Sequence, residues 1–230
     1  MNANETTRRR FILAGGMGVA GAALGGAALA KTAPKKDDDD VPPTEDLMRE
    51  HGVLRRLLLV YGELVRRVDA RQEVKAEHVS GAALIIREFI EDYHEKDEEE
   101  YVFPRLQKAG KLGELVTVLI AQHAAGRRVT ADVLRLATPA GLQGDAGRKQ
   151  LAEALRSFVR MYEPHAARED TVLFPAFRAL LDERELKKLQ DVFEDKEKAL
   201  PHGGFEKMVG EVAKLEQALG LYDLAKFTPA

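Results

Sequence analysis

His94-Glu95-Lys96-Asp97-Glu98, running on to Phe103-Pro104, recurs later in the chain as His165-Ala166-Ala167-Arg168-Glu169, running on to Phe174-Pro175. In each copy a Glu follows the His by four residues, a Phe by nine and a Pro by ten. A lone His precedes each copy: His51 stands 43 residues before His94, and His123 stands 42 before His165. The repeating unit is a helix carrying one His, then a helix carrying H-x-x-x-E. Self-similarity of this kind governs the fold before any local propensity does.

Around this repeat the apolar residues recur at helical spacing, and no stretch alternates at period two. Pro42-Pro43 marks the start of a helix over about 44–69, with Leu47, His51, Leu54, Leu58, Tyr61, Val65 and Val68 on or near one stripe. A second helix is expected over about 73–107, through Leu84, Phe89, Ile90 and His94, ending at Ala109-Gly110. A third covers about 112–137, through Leu115, Leu119, His123 and Val129. A glycine-rich turn with Gly141 and Gly144 leads to a fourth, about 145–180, which Pro164 should bend or restart just before His165. Asp182 with Glu185 reads as a capping box for a helix over about 182–196, and Gly203-Gly204 breaks the chain before a last helix over about 204–220. Long helices joined by short turns imply an all-α fold, an up-down-up-down four-helix bundle over 44–181, with one or two extra helices in an extension over 182–230.

Composition narrows the chemistry. The chain of 230 residues is 45% hydrophobic and 32% charged, enough for a core and a solvated surface. A net charge of -3 and a pI near 6.1 give no basic footprint for nucleic acid. Cysteine is absent, which excludes disulfides, thiolate ligands and a nucleophilic Cys. A bound metal must therefore be held by nitrogen and oxygen.

The repeat supplies those atoms. Positions i and i+4 of a helix differ by about 40° and one turn, so His94 and Glu98 share a face, as do His165 and Glu169. His51 and His123 sit in apolar stripes and should point inward. Buried carboxylates and imidazoles are costly unless paired or coordinated, and a divalent or trivalent cation satisfies both. Two carboxylates related by a pseudo-two-fold axis suit a bridged pair of metals. An all-nitrogen-and-oxygen set suits iron or manganese best; zinc usually takes fewer ligands than are offered here. His78 and His202 fall outside this arrangement. Lys96, Asp97, Glu99 and Glu100 are expected on a solvated face, and Tyr93 and Tyr162 in ordinary packing.

Residues 1–30 read as a targeting segment. Thr7-Arg8-Arg9-Arg10-Phe11-Ile12-Leu13 resembles the twin-arginine export motif, an uncharged stretch follows, and Ala28-Leu29-Ala30 offers an A-x-A cleavage site. Export to the periplasm through the twin-arginine translocation machinery, with cleavage after Ala30, is the expectation. An uncleaved membrane anchor is the alternative, disfavoured by the six glycines of that stretch. Residues 31–43 read as a disordered linker, in which the run Asp37 to Asp40 is a solvated spacer sooner than a cation site.

These residues together resemble the hemerythrin / HHE cation-binding domain family. The resemblance rests on His51, on His94 to Glu98 with Phe103-Pro104, on His123, and on Pro164-His165 to Asp170 with Phe174-Pro175, and it spans roughly 44–180. It implies a non-haem di-iron centre with His51, His94, Glu98, His123, His165 and Glu169 as ligands, and a small ligand such as O2, NO or peroxide. Oxygen-carrying members place a second His four residues after the first on the third helix, where this chain has Arg127. The resemblance thus implies an open metal position, or Glu95 as an additional ligand. A protein that binds or senses O2 or NO, or handles iron, is the leading expectation, which favours a binding protein over an enzyme and leaves the enzyme open. A di-iron oxidase or peroxidase, and a structural bundle holding another divalent metal such as zinc, are the alternatives.

Overall fold

The computed structural model describes residues 41–229; the targeting segment and all but the last three residues of the linker lie outside them. Among the described residues every regular element is helical, and no helix is long and apolar enough to cross a membrane. Helix α1 spans Pro43–Asp69. It begins on Pro42-Pro43, carries Glu45 and Asp46 in its first turn and ends on Arg66 and Arg67, so both ends complement the helix dipole. Helix α2 covers 76–108, α3 Gly113–Leu136, α4 Pro139–Gln143, α5 145–178, α6 Glu183–Lys198 and α7 Phe205–Leu219. The short α4 stands where a plain turn was expected; the Thr138 side chain accepts from the Gly141 N–H and starts it. The expected capping box of α6 is present: Asp182 accepts from the Glu185 N–H at 2.8 Å, and Glu185 accepts from the Asp182 N–H at 3.1 Å.

Two departures concern the prolines. Pro164 neither ends α5 nor restarts it, and the helix runs unbroken from Asp145 to Arg168. Pro164 and Arg160 are exposed, so the carbonyl that loses its partner faces water. Pro104 and Pro175 follow wide turns. In α2, Ile86–His94 and Glu98–Val102 are π-helical, and in α5 so is Glu169–Leu173. The Phe103 N–H bonds the Glu98 carbonyl, and the Phe174 N–H bonds the Glu169 carbonyl, five residues back in each case. Pro104 and Pro175 come next in the chain, where the widened helix leaves room for the ring.

Helix α1 packs against α2 and α5, and α3 packs against the same two, closing a ring of four. The interior is divided into two apolar clusters. One includes Leu54, Leu57, Tyr61, Phe89, Phe158 and Tyr162. The other includes Leu47, Phe103, Leu119, Phe174 and Phe177. The C-terminal helices join both: Met208 and Val212 of α7 enter the first, Leu189 and Phe193 of α6 the second. Each such buried side chain contributes about 2 kcal/mol. Arg56 fixes α7 by a two-pronged ion pair to Glu216, at 2.9 and 2.6 Å. In sequence, His51, His94, His123 and His165 each fall between residues of the two clusters, which places a polar layer between two dry ones.

Candidate metal centre

All six residues expected as ligands are buried together. His51 and His94 are 1% exposed, His165 is 3%, and Glu98, Glu169 and His123 are fully buried. Ligand atoms of Glu98, His123, His165 and Glu169 lie within 4.8 Å of one another, and so do those of His51, His94 and Glu98. Glu98 belongs to both sets. The Nε2 atoms of His51 and His94 are 3.1 Å apart, and His94 Nε2 is 3.8 Å from Glu98 Oε1. His123 Nε2 stands 3.3 Å from Glu98 Oε2; Glu169 Oε2 stands 3.0 Å from His165 Nε2 and 3.3 Å from His51 Nε2.

The other ring nitrogen of every one of these His residues is held from outside. The Nδ1–H of His51 donates to Asp170 Oδ1 at 2.7 Å, and that of His94 to Glu50 Oε2 at 2.6 Å. The Nδ1–H of His123 donates to Glu99 Oε1 at 3.1 Å, and that of His165 to Gln122 Oε1 at 2.9 Å. Such an acceptor fixes the ring's orientation and leaves the Nε2 lone pair aimed inward. These partners obey the repeat. Glu50 and Gln122 immediately precede His51 and His123; Glu99 and Asp170 immediately follow Glu98 and Glu169. Arg55 and Arg127, each four residues after the lone His, pair with Asp170 and Glu99 respectively. Phe174 stacks on His51, and Phe103 on His123, each with ring centroids 5.5 Å apart. The recurring Phe thus lids the lone His of another helix.

Several expectations are corrected here. Asp97 is buried and pairs with Lys196 of α6, and Glu99 is half-buried beneath His123, so neither belongs to a solvated face. Both are drawn in by cationic or N–H partners that a reading of local charge does not show. Tyr162 does more than pack, since its hydroxyl donates to Glu95 Oε1 at 2.5 Å. Tyr93 does pack, against Phe89. Glu95 is buried and lies outside both sets that contain Glu98, but its carboxylate falls in a third group with Glu99 and His123, whose ligand atoms also lie within 4.8 Å of one another; its Oε2 is 2.7 Å from Arg127 and 3.9 Å from His123 Nδ1. His78 and His202 stand apart, near Glu77 and Glu88.

The donor set fits a cation. Both oxygens of Glu98 and of Glu169, and Nε2 of His123, are buried without a hydrogen bond. Burial pushes the Glu98 carboxyl well above the usual carboxylate range, and the charge of Glu169 pushes it further. Burial would raise Glu169 too, but the charge and close approach of the His165 and His51 rings hold it well below that range. Burial and the charge of His51 push His94 down, and burial pushes His123 down. For His51, burial acts downward and is outweighed by the hydrogen bond to Asp170 and the nearness of Glu169. Two carboxylates and four imidazoles so placed cannot all hold their preferred charge among themselves; cations between them relieve every one of these conflicts.

The described residues form an all-helical fold around a buried imidazole–carboxylate cluster that fits a metal site. Residues 43–138 match the hemerythrin HHE cation binding domain, a stretch holding His51, His94, Glu98 and His123. Over 200 residues the chain is 46% identical to uncharacterized proteins of Mycobacterium tuberculosis (strain H37Rv) and Mycobacterium bovis, covering 86% of this chain and 78% of theirs. The chain belongs to the family of these mycobacterial proteins and carries the hemerythrin HHE cation binding domain. No solved structure matches it.

Proposed function

We propose that this protein is an exported hemerythrin-like protein whose bundle holds two non-haem iron ions and binds or senses O2 or NO, or handles iron. One observation carries the reading: Glu98 lies in both ligand sets, as a carboxylate bridging two metals would. The short connections between α1, α2, α3 and α5 support an up-down-up-down order over 44–181. His51, His94 and Glu98 would hold one ion, and His123, His165, Glu169 and the shared Glu98 the other. Six nitrogen and oxygen ligands favour iron over zinc, with manganese second. Iron would supply reversible electron transfer to a small ligand. The chain's own residues aim the four Nε2 atoms through their Nδ1 partners and exclude water with Phe103, Phe174 and the apolar clusters. The Arg8-Arg9 motif and Ala28-Leu29-Ala30 support export through the twin-arginine machinery and release into the periplasm.

An oxidase or peroxidase is the second reading, favoured by Arg127 standing where oxygen carriers have a further His. Anaerobic purification from the periplasmic fraction tests the whole. The expected result is a mature chain beginning at Lys31, with about two irons and a near-ultraviolet band that changes on exposure to air. Reversal on removing oxygen marks a carrier or sensor; turnover of peroxide marks an enzyme. One zinc, or a colourless chain no different from His94→Ala/His165→Ala, would sink the di-iron reading.

A further inference from the structure

The two halves of the repeat part company one turn from the ligands. Glu95, just after His94, has Ala166 as its counterpart after His165, and Tyr162, three residues before His165, has Glu91 as its counterpart. Gly126, three residues after His123, has Leu54 as its counterpart after His51. These three odd positions meet. The Tyr162 hydroxyl donates to Glu95 Oε1 at 2.5 Å, and its ring stacks on Phe158 at 4.3 Å. A Cβ on Gly126 would come within 2.8 Å of Tyr162 Cζ and closer still to the hydroxyl, so only glycine admits this phenol.

Arg127 closes the other side. It lies 2.7 Å from Glu95 Oε2 and 2.8 Å from Glu99 Oε1, and it donates to the Glu91 carbonyl. Arg87 donates in turn to the Arg127 carbonyl. Glu95 is therefore hydrogen-bonded through one oxygen and ion-paired through the other. It is 1% exposed, and it sits beside Nδ1 of His123, the ring nitrogen turned away from Glu98. Charge-assisted bonds of this kind are the strong ones, and they oppose the pull of a neighbouring cation.

We propose that Tyr162 and Arg127 are positioning residues, a clamp that holds Glu95 out of the metal's coordination sphere and keeps a position on the His123–His165 side open to a small anion or diatomic ligand. The proposal rests on the di-iron reading above. It makes the two metal positions inequivalent although their ligands repeat.

The test is an azide titration of the iron-loaded full chain, followed by absorption, with iron counted first. In Tyr162→Phe/Arg127→Gln the freed Glu95 should occupy the open position. Azide affinity should fall at least about tenfold, the size of effect that supporting residues have on metal sites, and the azide-free band should move. Adding Glu95→Ala to that pair should restore both, which lost packing alone would not do. Glu95→Ala by itself should leave band and affinity within about twofold. Tyr162→Phe alone, the mildest change, should show the same trend if the pair folds poorly by circular dichroism. An azide-free band that moves in Glu95→Ala alone would show Glu95 already bound to iron and overturn the clamp. So would wild-type azide affinity in the pair. Fewer than one iron in the unaltered chain would remove the di-iron reading itself, before any azide is added.

Discussion

The half-site built on His51, His94 and Glu98 and the half-site built on His123, His165 and Glu169 share their ligands but not their surroundings. Around the first, the His94 brace is the carboxylate Glu50, with Asp46 and Asp97 close enough to raise its pKa further after burial has done so. Around the second, the corresponding brace is the neutral Gln122. The second instead has Tyr162 lodged against Gly126 and hydrogen-bonded to Glu95. The repeat thus fixes where the six imidazoles and carboxylates stand, while the residues bonded to them set how much charge and room each half offers. Identical donor types would not give two bound ions identical surroundings.

The largest expected effect contrasts the braces. Glu50→Ala should weaken the metal held by His94 about 100-fold, and Gln122→Ala that held by His165 about tenfold, because a bound cation would draw Glu50 into its charged form, and a charged acceptor supports the imidazole more strongly than an amide does. Competition against a chelator measures both, and equal losses would erase the asymmetry. Glycine positions come next. Gly126→Ala should cost about 2 kcal/mol in denaturant unfolding, from overpacking against Tyr162. Gly62→Ala, on an exposed face with nothing within 4 Å, should gain about 0.5–1 kcal/mol. A neutral Gly126→Ala would mean that the phenol has room to move.

The last effect concerns acid crowding. Burial and the charge of Glu197 raise Asp46 to about 6 from 3.8. Between those values the folded chain holds the extra proton, so this group's stabilising effect is full below about pH 4 and lost as pH rises through about 6. In the chelated chain, Asp46→Asn should exceed the unaltered protein by about 1–2 kcal/mol near pH 8 and match it near pH 4. Val118 holds the equivalent place in the second half and carries no such charge.

How much of this was readable beforehand follows from periodicity. His94 with Glu98, and His165 with Glu169, declare a shared face at spacing four, and the six residues expected as ligands lie together in two groups that share Glu98. The braces were missed because Glu99 and Asp170 stand in charged runs that look like surface, and Glu50 and Gln122 have no local signal. The signal was at long range. Glu50 and Gln122, Arg55 and Arg127, Glu99 and Asp170 recur at the same offsets as the ligands, and carrying the alignment outward by a few residues exposes them. The wide turns escaped because apolar spacing assumes 3.6 residues per turn throughout. The matched prolines at 104 and 175 were their trace.

Those wide turns also bear on which chain lengths can build this centre. Each carries one residue more than an α-helix would use to span the same height, so the Phe-Pro pairs sit downstream of what amount to two matched insertions. Deleting one residue within 99–102 or 170–173 would let the turn relax to α geometry and leave the rest of its helix where it stands, because the wide turn already absorbs the extra residue. Phe103 would stay on His123, or Phe174 on His51. A relative that keeps the histidines and glutamates but lacks that one residue should keep both lids, whereas a one-residue loss in an α stretch of the same helix would rotate everything beyond it by about 100°.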